Sequence, residues 1–173
     1  TSTVGSSGAG VLAIGETVML GATQALQQLG FEVDAVEGRG TEGVALSIDR
    51  LRDHGTLPDT VVLHVGTNAP LRDGELEAII DRLADRSAIV VTVHGRAWAD
   101  ANNAIIRALP ERYTNVRIAD WDQAVADGTI TGLTPDGVHL DTAAARDGYA
   151  ALIAAAVDRA VAERQLSEAT DHT

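Results

Sequence analysis

Residues 60–68 read Thr60-Val61-Val62-Leu63-His64-Val65-Gly66-Thr67-Asn68. A short, β-branched, nearly unbroken apolar run that stops at a glycine is too short for a helix and too apolar for a half-solvated strand. It predicts a strand over Thr60–Val65, buried on both faces. Similar segments lie on either side. Val11-Leu12-Ala13-Ile14 runs into Gly15, and Phe31–Val36 alternates. Downstream, Ala88–Val93 and the shorter Asn115–Ala119 complete a set of five. Helical spacing separates them: Val18–Leu29 stopping at Gly30, Thr41–Leu51 with Thr41 as N-cap, Glu75–Ala84 with Leu76, Ile79, Ile80 and Leu83 on one face, and Trp98–Leu109 broken by Pro110. Asp120 and Trp121 close the fifth strand. A loop over Gly128–Pro135 then leads to a last helix over Thr142–Arg164. Strands alternating with helices predict an α/β fold, a three-layer α/β/α sandwich around a five-stranded parallel sheet.

The domain spans residues 11–166. Residues 1–10, beginning Thr1-Ser2-Thr3-Val4-Gly5-Ser6-Ser7-Gly8, read as a linker or chain boundary, and residues 167–173 read as a polar, frayed tail. The missing initial Met suggests a piece of something longer. Among 173 residues, 13 Lys+Arg face 25 Asp+Glu, a formal net charge of −12, and every cation is Arg. That balance, with no stripe of Arg and few aromatics, argues against nucleic acid as a partner. With no cysteine there is no disulfide, thiolate metal site or cysteine nucleophile, and the redox compartment stays open. The five histidines show no metal-ligand spacing, so no metal is expected. No apolar run approaches the roughly 18–20 residues that span a bilayer.

In a parallel α/β sheet, ligands bind beyond the carboxyl ends of the strands. The loops at that edge carry Gly15-Glu16-Thr17-Val18-Met19-Leu20-Gly21-Ala22, Glu37-Gly38-Arg39-Gly40, Gly66-Thr67-Asn68 and Thr134-Pro135-Asp136-Gly137-Val138-His139-Leu140. In these four blocks, in this order, the sequence resembles the SGNH hydrolase superfamily. More narrowly, it resembles the extracytoplasmic SGNH-like domain fused to multi-pass membrane O-acyltransferases of bacterial envelopes. The resemblance runs from Val11 to about Val161. The family's first block is Gly-Asp-Ser, with Ser as nucleophile; Gly15-Glu16-Thr17 departs from it by one carbon at each of two positions. Gly38 matches the second block, Gly66-Thr67-Asn68 the Gly-x-Asn third, and Asp136-Gly137-Val138-His139 the Asp-x-x-His fourth.

The resemblance implies Thr17, Asp136 and His139 as catalytic residues and no cofactor. A hydroxyl needs an adjacent base, which His139 supplies; Asp136 fixes the imidazole's tautomer. The backbone N–H groups of Thr17 and Gly38 and the amide of Asn68 form the oxyanion site. Gly38 lets its backbone approach closely, and the helix opened by Thr17 adds its dipole. The Thr17 methyl restricts χ1 in a tight turn. Glu16, Arg39 and Trp98 are candidate substrate contacts, with ordinary packing favoured for Trp98. His64 reads as structural, His94 as a cleft residue without a fixed role, His54 and His172 as solvated, and Met19 and Leu20 as core.

Three functions stand open. The first is an O-acyltransferase acting on a cell-envelope glycan or glycolipid, with acyl donor delivered through a membrane acyltransferase domain. The second is a catalytically silent module of the same fold that binds the glycan or acyl acceptor. The third is a free-standing carbohydrate esterase. The resemblance places the domain outside the cytoplasm, tethered to the membrane in the full-length protein, and the Arg-, Ala- and Asp-rich composition suggests an actinobacterial envelope.

Overall fold

The computed structural model describes residues 10–171. The expected linker (save Gly10) and His172 lie outside that span. In chain order the elements are β1 (Val11–Gly15), α1 (Thr17–Gly21), α2 (Thr23–Gln28), β2 (Glu32–Ala35), α3 (Thr41–Asp53), β3 (Thr60–His64), α4 (Glu75–Leu83), β4 (Ser87–Val91), α5 (Ala99–Arg112), β5 (Val116–Ala119), α6 (Trp121–Ala126) and α7 (Ala143–Asp171). The five strands form one sheet in the order β2-β1-β3-β4-β5, with every pair parallel. The three-layer sandwich read from the sequence is the fold.

Alternation along each strand divides the core in two. Val11, Ala13, Val62, Ile89 and Val91 face a layer built from α1, α2, α6 and α7, where Met19, Leu26, Trp121, Tyr149 and Ile153 are buried. Leu12, Ile14, Val61, Leu63, Ala88 and Val90 face α3, α4 and α5 through Ile48, Leu76, Ile80 and Ile106. Both faces of β1, β3 and β4 are therefore covered, which explains their continuous apolar runs. The edge strand β2 is only half-buried, and its sequence alternates accordingly.

Several boundaries differ from the sequence reading. The first helix is two short ones, interrupted at Ala22. Leu20 is exposed, whereas Met19 is core. Thr41 is the first helical residue of α3 rather than its cap; Gly40 holds the cap position, with no side-chain bond. Pro110 lies inside α5, which continues to Arg112. A proline so near a helix end removes one hydrogen bond of the last turn, and the N–H of Tyr113 still closes onto Leu109. Asp120 and Trp121 do not end β5. Asp120 caps α6 by accepting from the Gln123 N–H at 3.1 Å, and Trp121 is that helix's buried first residue. The last helix runs through Asp171, so residues 167–171 of the expected frayed tail are helical and exposed.

Candidate active site

The strand order reverses at β1. Its chain leaves through α1 and α2 on one face toward β2, whereas β3, its other neighbour, continues into α4 on the opposite face. A crevice opens at such a switch point beyond the carboxyl ends of the strands. Glu16 and Thr17 follow β1 there, and Gly66, Thr67 and Asn68 follow β3. A Cβ on Gly15 would lie 2.7 Å from Met19 Sδ, so this strand-to-helix turn is tight.

Thr17 is partly exposed at the start of α1. Its Oγ1 accepts from the Gly38 N–H at 3.2 Å. Gly38 has φ +70°, a left-handed conformation that a glycine adopts without strain. The Arg39 guanidinium holds the same loop to β2, donating to the Asp34 carbonyl and carboxylate, both at 2.7 Å. Arg39 is thus committed to the scaffold rather than offered to a substrate. With only five residues, α1 supplies little dipole beyond its own N–H groups.

Glu16, expected as a substrate contact, is 1% exposed. Its two oxygens accept from the Thr67 backbone N–H at 2.5 Å and the Asn68 side-chain amide at 2.8 Å. Burial raises its pKa above the ordinary carboxylate value, opposed by the bonds from Thr67 and Asn68. Asn68 itself is exposed, and its amide also reaches the Arg39 carbonyl at 3.3 Å. A single hydrogen-bonded chain therefore joins the first, second and third blocks.

The fourth block carries an imidazole–carboxylate pair. Asp136 Oδ2 lies 2.5 Å from His139 Nδ1. Oδ1 accepts from the Thr134 hydroxyl, from the Val138 N–H at 2.9 Å and from the His139 N–H at 3.2 Å. These bonds, that from Thr134 foremost, hold the Asp136 carboxyl well below the usual range. An ionised Asp136 favours the proton on Nδ1 and leaves the Nε2 lone pair open to accept a proton. The loop is braced by a bridge between Leu133 and Leu140 and by the buried Val138. It also makes close contact with Gly95, where a Cβ would stand 2.2 Å from the Gly137 carbonyl oxygen. Among the described residues no hydrogen bond joins Thr17 to the His139 ring; Thr17 follows β1, and His139 lies on the loop before α7.

Sequence reading missed the residues that hold these loops. The Asn102 side chain, buried on α5, donates to the carbonyls of Gly66 (2.8 Å) and Ala69 (3.1 Å) and accepts from the Leu71 N–H (2.8 Å). Trp98 donates its indole N–H to the Gly66 carbonyl at 2.9 Å, and Arg96 donates to the Thr67 carbonyl at 3.2 Å. Trp98 is therefore a brace for the third block, with a half-buried ring. Asn103 holds both the N–H and the carbonyl of Val93 at 2.7 Å. The only sequence signal was a pair of asparagines inside a helical run, where a packing role demands explanation. His94 pairs with Asp122 at 2.8 Å, and Arg107 bridges Asp120 and Asp122. His64 is fully buried against the Tyr149 hydroxyl at 2.6 Å, and burial lowers its pKa to about 3. His54 is exposed.

A shallow groove of about 260 Å³ opens beside Glu16 and Asn68, between the start of α3 and residues 69–72. A larger one, about 440 Å³, lies at the opposite edge of the sheet among Asp85, Arg117, Glu163 and Arg164, remote from the four blocks. Among the described residues no acid–histidine cluster is arranged to hold a metal ion, and no helix is long and apolar enough to cross a membrane.

No family model matches the chain. The curated peptidoglycan O-acetyltransferase of Listeria monocytogenes is 26% identical over 152 residues, 86% of this chain but 24% of that protein. The chain thus spans about a quarter of the length of that relative. Among solved structures, the C-terminal catalytic domain of Streptococcus pneumoniae peptidoglycan O-acetyltransferase A, with a methylsulfonyl adduct, superposes with a TM-score of 0.79. It is 28% identical, and the match covers 88% of this chain and 94% of that one. A GDSL-like lipase from Bacteroides thetaiotaomicron gives 0.67 at 18% identity, covering 87% and 88%. Sheet order, switch-point loops and these likenesses define an SGNH-like domain. Within that class, the chain is similar to the peptidoglycan O-acetyltransferase of Listeria monocytogenes and to the catalytic domain of its Streptococcus pneumoniae counterpart.

Proposed function

We propose that this domain transfers an acyl group, acetyl in the first instance, to a hydroxyl of a cell-envelope glycan, with peptidoglycan the favoured acceptor. The observation that carries the reading is the 28% identity across 88% of the chain to a domain named as catalytic in a peptidoglycan O-acetyltransferase. In this reading Thr17 Oγ1 attacks the acyl carbonyl as its proton passes to His139 Nε2. The negative oxygen that forms is held by the N–H groups of Thr17 and Gly38 and the amide of Asn68. His139 returns the proton to the leaving group, giving an acyl-Thr17 ester. The sugar hydroxyl then gives its proton to His139 and attacks that ester, and Thr17 leaves with its hydroxyl restored. Water in place of sugar makes the same machinery an esterase. The acyl donor arrives through a membrane acyltransferase domain of a longer protein, with this domain on the outer side of the membrane.

A second reading, a silent acceptor-binding module, is favoured by one observation: the Thr17 hydroxyl is bonded to Gly38 and not to His139. Hydrolysis of p-nitrophenyl acetate, with and without a chito-oligosaccharide acceptor, separates the two. Transferase chemistry requires Thr17→Ala and His139→Ala to lose the activity and the oligosaccharide to gain acetyl groups. Wild-type rates no higher than those of Thr17→Ala, with activity appearing only in Thr17→Ser, would establish the silent module.

A further inference from the structure

Glu16 stands where the resembling family carries aspartate, and its carboxylate is buried beside the crevice. The carboxylate reaches across the crevice from β1 to the loop after β3, taking the Thr67 N–H on one oxygen and the Asn68 amide on the other. A primary amide has two N–H groups. The two acceptors of Asn68 are unequal: a buried carboxylate at 2.8 Å and the Arg39 carbonyl at 3.3 Å. The first bond is charge-assisted and short, the second neutral and long. Arg39 follows Gly38, whose N–H lies on Thr17 Oγ1. A negative oxygen forming beside Thr17 and Gly38 therefore competes with the weaker acceptor only, while the stronger keeps the nitrogen in place.

We propose that Glu16 is a positioning residue: it anchors one N–H of Asn68, so that the other can turn from the Arg39 carbonyl to the oxyanion. The proposal rests on the reading of Thr17, Gly38 and Asn68 given above. Its arrangement parallels the one by which Asp136 orients His139, with an acid fixing one nitrogen substituent and leaving the other to the chemistry. Protonation undoes the anchor, because a carboxyl O–H then meets two donors and only one oxygen still accepts. Burial raises the Glu16 pKa, so this loss begins above the ordinary carboxylate range. Of the other ionisable groups, Tyr149 on the α7 side, with His64 bonded to it, feels the Glu16 charge; the Arg96 guanidinium after β4 donates to the Thr67 carbonyl, and that of Arg39 after β2 is held by Asp34.

The test uses the intact chain with Glu16→Gln, Glu16→Asp and Thr17→Ala. In nuclear magnetic resonance spectra the Asn68 side-chain amide of wild type titrates with a midpoint above the usual glutamate value, and the titration vanishes in Glu16→Gln. Losing one oxyanion donor lowers kcat by about 100- to 1,000-fold. A donor that is present but unanchored is expected to lower it by about ten- to a hundredfold at unchanged KM for p-nitrophenyl acetate. Glu16→Asp keeps the charge and restores the residue of the resembling family, so it folds and retains the Asn68 titration and most of kcat. An Asn68 resonance insensitive to pH, or full kcat in Glu16→Gln while hydrolysis still depends on Thr17, overturns the anchor alone. Equal hydrolysis by wild type and Thr17→Ala overturns the functional reading and the role of Asn68 with it.

Discussion

Three hydrogens converge on one oxygen of Asp136, from Thr134, Val138 and His139, while the other oxygen faces His139 Nδ1. The carboxylate is thus ionised far into acid, and no acid limb near neutrality is expected from it in the proposed reaction. Asp136→Asn is expected to keep the loop but favour the wrong imidazole tautomer, lowering kcat by about 10⁴-fold. Thr134→Val removes one of three supports and should cost far less. Steady-state kinetics at neutral pH checks both, and equal losses would mean that Asp136 acts by holding the loop rather than the imidazole. His64 makes a different prediction. Its folded pKa of about 3 lies below the unfolded value of about 6.5, so the unfolded chain binds the proton first. Stability is full above about pH 6.5 and is lost as pH falls toward 3, by at most about 1.4 kcal/mol per pH unit. Glu16, with its pKa raised, works in the opposite direction near its own titration. Urea midpoints between pH 7 and pH 4 should fall in wild type and flatten in His64→Gln; parallel slopes would exclude His64 as the source.

Among the elements, the loops after β3 and β4 are where precision is needed and where buried asparagines supply it. Gly95 has φ +77° and no room for a Cβ against the Gly137 carbonyl. Gly95→Ala must shift the loop that carries Asp136 and His139. A displacement near 1 Å is worth about 100-fold in rate, and the strained φ adds about 1–3 kcal/mol of destabilisation. Thermal melts and kcat measured together should show both losses, and a wild-type kcat in a correctly folded variant would show that the loop is not positioned through this contact. The strands, the burial of their two faces and the four blocks were legible because each is local: an apolar run, a turn glycine, a short motif. What was not legible depends on partners distant in sequence. Asn102 is polar and buried only because residues 66–71 present three backbone groups to it. Glu16 is solvated in any local reading and is buried by Thr67 and Asn68. Similarly, α6 is too short for periodicity to reveal it, and its start is set by the cap at Asp120.

For the molecule as a whole, the net charge of −12 acts on whatever approaches the crevice. Many Arg side chains are spent on internal ion pairs, among them Arg39, Arg82, Arg107 and Arg117. The groove beside Asn68 carries Glu42 and Glu75 as well as Arg72. A neutral oligosaccharide meets no net Coulomb barrier there, whereas an acidic one is repelled over a distance set by the ionic atmosphere. Raising ionic strength from about 0.01 M to about 0.15 M shortens that distance from about 30 Å to about 8 Å. The KM for an acidic oligosaccharide should therefore fall as salt is added, while the KM for a neutral chito-oligosaccharide stays constant and kcat for both is unchanged. Steering acts on encounter and not on the chemical step, so a salt effect on kcat would place the responsible charges at the reacting atoms. If KM for the acidic acceptor instead rises with salt, a local cation such as Arg72 or Arg96 outweighs the global field, and single substitutions of those two residues would identify which.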